Sequence, residues 1–215
     1  MTNLLHNLLA YARDTWDAAM GIWVSGGWAM GAIAAVAVIM FAMGLHVLIR
    51  LWGIGFRWVP EKRWRKWLDH PDRRKGRIGE MITFVSGAQT MHDIGVRFDE
   101  LRKTASAGVD RDLRIMKVCV TAAPLLGLMG TVMGMLTTFA ALSTGSGGDE
   151  TMSKVAGGIS EALVTTETGL VVALPGLFFQ NYLARQHDAF KAFIAHLETV
   201  CSQRVYRRQQ QRAAA

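Results

Sequence analysis

The sequence predicts an all-α membrane protein: three transmembrane helices, the second and third extended into a cytoplasmic helical bundle. Three observations carry that prediction. The 215 residues are 51% hydrophobic, and three runs reach membrane-spanning length: Trp28 to Ile49, Val118 to Leu142 and Ile159 to Leu183. At about 1.5 Å rise per residue, each covers the roughly 30 Å hydrocarbon layer. Second, Lys and Arg are segregated: 22 lie in Arg50–Lys117 or after Leu183, against 2 elsewhere, Arg13 and Lys154. Third, apolar residues at 3–4 spacing continue past the third span (Phe190, Phe193, Ile194, Leu197, Val200, Cys201, Val205), the pattern of an amphipathic helix.

Taken in order, residues 1–25 place Leu4, Leu5, Leu8, Leu9, Ala12, Trp16, Met20 and Trp23 at helical spacing, which reads as an outer-face amphipathic helix. Its start has no basic n-region or A-x-A site, so no secretory signal is expected. Residues 26–50 form transmembrane helix 1, with Trp23 and Trp28 at one end and Trp52 and Trp58 at the other as interfacial aromatics. Residues 51–115 form a cytoplasmic helical loop. There Ile78, Met81, Ile82, Val85, Ala88, Gln89, His92 and Val96 follow a 3.6 period. From about Asp110 one helix is expected to run unbroken into transmembrane helix 2 (116–142). A periplasmic loop (143–158) leads to transmembrane helix 3 (159–183), and 184–215 form a cytoplasmic extension and tail. The tail "RVYRRQQQRAAA" has no periodic apolar face and is expected to fray.

The basic asymmetry orients the chain, with the N-terminus outside and the C-terminus in the cytoplasm. Net charge is +7, but Arg and Lys interleave with Asp and Glu and no nucleic-acid motif accompanies them. Contact with anionic lipid accounts for them more simply. Cys119 and Cys201 are expected to be free thiols. There is no G-x-S-x-G, H-E-x-x-H, phosphate loop or Cys/His metal spacing. No enzyme activity, metal or cofactor is therefore expected. His187 and His196, nine apart, make a poor metal pair.

The polar residues of the spans carry the functional reading. On span two, Gly127, Thr131, Gly134 and Thr138 recur at i, i+4, i+7 and i+11, one narrow stripe, with Pro124 beside it. Gly130 and Gly134 form a G-x-x-x-G pair suited to close helix packing. On span three, Glu161, Thr165 and Thr168 share a face, Thr166 lies about 140° from Glu161, and Glu167 lies about 120° from it on the other side. Singly, each threonine is accounted for by back-bonding to a carbonyl one turn earlier. The glutamates are different: a carboxylate near the bilayer centre costs roughly 2.5–3.5 kcal/mol on insertion scales. Glu167, about 12 Å deep by helix rise, must be neutral, paired or facing a wet cavity. One three-helix chain cannot enclose water with so narrow a stripe. A ring of subunits can, with spans two and three lining a lumen and span one against lipid.

"APLLGLMGTVMGMLTTF" (Ala123–Phe139) and "GGISEALVTTETGLVVALPGLFFQNYL" (Gly157–Leu183) resemble the ExbB/TolQ/MotA proton-channel family, the ExbB-like branch most closely. The resemblance implies a homopentamer in the bacterial inner membrane around an ExbD-like single-span protein whose membrane Asp carries the proton. Proton flow would be passed to a TonB-like protein that energises outer-membrane import. It implies that Thr131 and Thr166 face the lumen and that Glu161 is the family's glutamate. Glu167 stands where a small or apolar residue is expected. Thr165 and Thr138 are further lumen candidates, and Pro175 joins Pro124 and the glycines as a packing residue. A TolQ-like subunit serving envelope maintenance, a flagellar-type stator and a passive scaffold without ion coupling remain as other readings.

Overall fold

The computed structural model describes Arg13, Gly21, Trp23 and the chain from Gly26 onward, except 56–59, 71–73, 75, 89, 145–147 and 214–215. Almost all of the expected outer-face helix, and Trp58 and Gln89, lie outside the described residues. Five α-helices follow one another: α1 (Gly27–Ile54), α2 (Glu61–Asp69), α3 (Gly76–Ser86), α4 (Met91–Thr144) and α5 (Asp149–Ala213). Among the described residues every regular element is helical. Helices α1, α4 and α5 are each long and apolar enough to cross a membrane. This is an all-α, multi-pass membrane protein.

The chain divides into two compact units. The first holds Lys117–Phe178 with the chain up to Phe41. Its interior consists of small residues and glycines contributed by α4 and α5, with Ala29, Met30, Ile33 and Met40 buried on α1. Outward, Val38, Val132, Leu136, Phe139, Leu163, Val171 and Phe178 are all more than half exposed. Water would not tolerate such a surface; hydrocarbon requires it.

The second unit comprises Ala42–Met116 and Phe179–Ala215. Here a water-soluble type of core forms. Trp64 and Trp67 of α2, Ile78, Ile82 and Val85 of α3, Ile94 and Phe98 of α4, and Phe190, Ile194, Leu197 and Cys201 of α5 share one buried cluster. The amphipathic stripe on the third span's extension is therefore satisfied within the chain. Trp64 packs edge-on to Phe193 and His196, with ring centroids 6.0 and 5.6 Å apart.

Three sequence expectations change here. The 3.6 period from Ile78 to Val96 belongs to two helices. The Thr90 hydroxyl accepts the Asp93 N–H at 3.1 Å, an N-cap that restarts the chain as α4. Arg97 closes the gap by donating to the Phe84 carbonyl at 2.8 Å and to Asp93 at 3.0 Å, so Val96 turns outward at 53% exposure. The connection expected over 143–158 shortens, because α4 runs to Thr144 and α5 starts at Asp149, with two acidic residues in its first turn favoured by the helix dipole. The tail is helical to Ala213: α5 has 65 residues, and Val205 rests on the core cluster, carrying the helix past the point where the stripe weakens.

Candidate functional site

Close approach of α4 and α5 organises the first unit. A Cβ at Gly127 would stand 2.9 Å from the Thr165 carbonyl, at Gly134 2.6 Å from the Gly158 carbonyl, and at Gly169 2.8 Å from the Ala123 carbonyl. At Gly130 it would meet the Thr165 hydroxyl directly. As numbers rise on α4 they fall on α5, so the two helices run antiparallel. Only residues without a side chain allow backbones this near, which is the small-residue packing expected of Gly127, Gly130 and Gly134. Gly158, Ala162 and Gly169 complete the seam from α5. Ala162 and Gly169 were not read from the sequence; the available signal was their four-residue spacing from Gly158 and Thr165 respectively.

Two residues expected in a lumen lie in this seam instead. Thr165 is completely buried and Thr138 nearly so. Each hydroxyl donates into its own helix: Thr138 to the Gly134 carbonyl at 2.8 Å, Thr165 to the Glu161 and Ala162 carbonyls at 3.0 Å. They are packing residues, because the glycines opposite bring the neighbouring helix down onto them. Pro175 also departs from expectation. It is exposed, and the close contact is made by its neighbour Gly176, against Met40 and Val120. Pro124 is half-buried, within α4.

Thr131 and Thr166 sit on the rim of the seam. Each is rotated about 60° from the line of contacting glycines on its helix, and both are half-buried. Antiparallel packing puts these two rotations on the same edge. The Thr166 hydroxyl crosses to the Gly127 carbonyl at 3.0 Å, one turn from Thr131. The Thr131 hydroxyl donates to the Leu128 carbonyl at 2.6 Å. Both protons are thus committed to backbone carbonyls, and both oxygens keep lone pairs for an incoming donor. A water or a protonated carboxylic acid fits that demand; an anion does not.

Glu161 lies on the opposite edge. Its carboxylate stands where a side chain at Gly27 would be. Gly27 has φ +60°, a conformation glycine adopts without strain, and it opens α1. The carboxylate therefore faces the positive end of that helix dipole. Thr166 and Glu161 do not share an edge within one chain, as the 140° separation required. Glu167 is exposed and points away from the seam, flanked by Leu163 and Leu170 at 65% and 48% exposure. Among the described residues no helix covers it.

A second polar cluster, in the other unit, was not read from the sequence. The His187 ring is buried and its Nε2 lies 3.0 Å from Asp110 Oδ1, which also accepts Lys191 Nζ at 2.8 Å. Nδ1 of His187 has no partner among the described residues. Burial pulls the His187 pKa below 6.5 against the attraction of Asp110. Desolvation raises Asp110, but Lys191 and His187 outweigh it and hold the carboxyl below its usual 3.8. Cys201, buried in the core, has its thiol pushed up to about 11 by desolvation.

A profile of the MotA/TolQ/ExbB proton channel family matches residues 86–195, the stretch that holds the whole seam. The chain belongs to the MotA/TolQ/ExbB proton channel family. Within that family its similarity runs to ExbB-like proteins. It is 48% identical over 67 residues to the ExbB-like 3 protein of Synechocystis, covering 31% of this chain and 32% of that one. It is 30% identical over 120 residues to the biopolymer transport protein ExbB of Xanthomonas campestris, covering 56% and 46%. With the ExbB of Salmonella typhimurium it shares 39% over 69 residues, covering 32% and 28%. The chain thus spans less than half the length of each of these relatives.

Proposed function

We propose that this family member is an ExbB-like subunit of the bacterial inner membrane, which assembles as a pentameric ring around an ExbD-like single-span protein. It would use the proton motive force to energise TonB-dependent outer-membrane import. The excess of Lys and Arg in Arg50–Lys117 and after Leu183 supports a periplasmic N-terminus and a cytoplasmic C-terminus. In that orientation residues 1–25 and the short α4–α5 connection are periplasmic, and the large helical unit is cytoplasmic.

One observation carries the proposal: two threonine hydroxyls on one edge of a glycine seam, both proton-committed and both able to accept. A protonated Asp on a neighbouring single-span helix would donate to Thr131 or Thr166 and move on without meeting a fixed charge. Glu161, held at the start of α1, would set the field near the outer face. Glu167 projects from this chain toward whatever packs against it, a neighbouring subunit or the central helix. The family's driving force amounts to about 2.3 kcal/mol per proton per 100 mV. In this reading the chain holds the path while the partner carries the proton.

The test is uptake of a ferric chelate in cells carrying only the variant gene. Thr131→Ala and Thr166→Ala should each lower TonB-dependent uptake about tenfold, the scale of losing one hydrogen bond of about 1.4 kcal/mol, at unchanged membrane abundance. Thr166→Ser, which keeps the hydroxyl, should retain most of it. Unchanged uptake in both alanine variants would leave a passive scaffold as the better reading.

A further inference from the structure

A cavity of about 940 Å³ opens beside the C-terminal part of α1. Ile49 and Arg50 of α1, Arg77, Met81 and Phe84 of α3, and Leu101 of α4 supply most of its character. The size lies within the about 300–1,000 Å³ typical of small-molecule sites. Its charge is unbalanced. Arg50 and Arg77 have no ion-pair partner among the described residues, whereas the other sign is represented on the wall by Glu80 alone. The Arg50 guanidinium lies against Gly108, where any side chain would displace it, so its position is built into α4. The remaining wall is mostly apolar, with His46 and Thr104 as its other polar residues.

Exposed apolar side chains of α1 flank the mouth. Ile49 lines the cavity and is also 63% exposed, and Leu45 one turn earlier and Trp52 one turn later are 54% and 71% exposed. An exposed Trp at the end of an apolar helix marks the bilayer surface. Cations at that depth beside an apolar groove opening to lipid match one chemistry: a phosphate tethered to acyl chains. We infer that this cavity binds an anionic phospholipid, its phosphate held by Arg50 and Arg77 and an acyl chain lying along Ile49 and Leu45. A zwitterionic lipid would bring its own cation against the two guanidinium groups and is disfavoured. The inference stands apart from proton conduction; it needs only that α1 ends at a bilayer surface.

The experiment is mass measurement of lipids retained by the full chain, purified in mild detergent from vesicles of equal phosphatidylglycerol and phosphatidylcholine. The wild type should retain phosphatidylglycerol in about tenfold excess or more, the scale of two basic side chains at a charged surface. Arg50→Gln with Arg77→Gln should bring the ratio close to one. Arg50→Lys with Arg77→Lys should keep much of the excess, which separates lost charge from lost fold. Thr104→Trp, which fills the cavity from α4 with both arginines intact, should also abolish it; Arg63→Gln, at an exposed position of α2, should not. An unchanged excess in the glutamine pair or in Thr104→Trp would overturn the assignment. Displacement by inorganic phosphate alone would overturn it in favour of a free-anion site. Loss of oligomer in the glutamine pair with lipid retention intact would assign the cavity to a contact between copies.

Discussion

At the scale of single residues, His187 shows how a buried polar group couples this protein to pH. Its ring is enclosed and bonded through Nε2 to Asp110, which fixes a neutral tautomer and leaves Nδ1 bare. Because burial lowers its folded pKa, the unfolded chain binds the proton more readily. Stability is therefore full above pH 6.5 and falls as the pH drops through 6.5 toward the folded value. Asp110 has the same sign lower down: its depressed pKa contributes stability above 3.8 that is lost on further acidification. The thermal midpoint of the detergent-solubilised chain should fall by a few degrees between pH 7.5 and 5.5. His187→Leu should show a flatter dependence over that range. Equal slopes for the two proteins would remove His187 as the cause. Nothing in the residue types announced this cluster. Asp110 and His187 are 77 positions apart, and only the pairing of α4 with α5 makes them neighbours.

At the scale of elements, the seam between α4 and α5 is the part most dependent on the absence of side chains. Gly130→Ala places a methyl group on the Thr165 hydroxyl, which must rotate out of a fully buried site. Overpacking of this kind costs about 1–3 kcal/mol. Gly31→Ala is the matched control: nothing lies within 4 Å of its Cβ position, and alanine is the better helix former. Thermal unfolding in detergent should show a clear loss for the first and no loss, or a gain, for the second. A tolerant Gly130→Ala would mean that the seam is looser than its backbone spacing implies. The elements themselves were largely legible. The three apolar runs became α1, α4 and α5, and the stripe from Phe190 to Val205 became the core side of α5. One hydrophobic period, however, crosses a cap. Ile78 to Val96 keeps its rhythm through Thr90 because hydrophobic spacing carries no record of which carbonyl and N–H pairs are broken. Such spacing also understates the tail, where packing of Val205 and propagation along a very long helix outweigh weak local patterning.

At the scale of the whole molecule, the proposed ring fixes what the purified particle should weigh. If the ring proposal holds, the chain purified in mild detergent should run at a mass several times 23.7 kDa, and co-expression with an ExbD-like single-span protein should add that protein's mass to the complex. A monomer indifferent to the partner would end the ring reading, while leaving the lipid site to be judged on its own test. The sequence alone determined that this is an all-α membrane protein with three spans and that Gly127, Gly130 and Gly134 suit close packing. Hydrocarbon demands about 20 apolar residues per span and full internal hydrogen bonding, and both demands are written locally. Only the tertiary structure decided which hydroxyls remain open. Thr131, Thr138, Thr165 and Thr166 are chemically alike, and a helical wheel locates each on its own helix without reference to the other. Antiparallel contact at Gly127, Gly130 and Gly134 closed the seam over Thr138 and Thr165 and left Thr131 and Thr166 on its rim, because burial is a property of two surfaces meeting and neither surface encodes it alone.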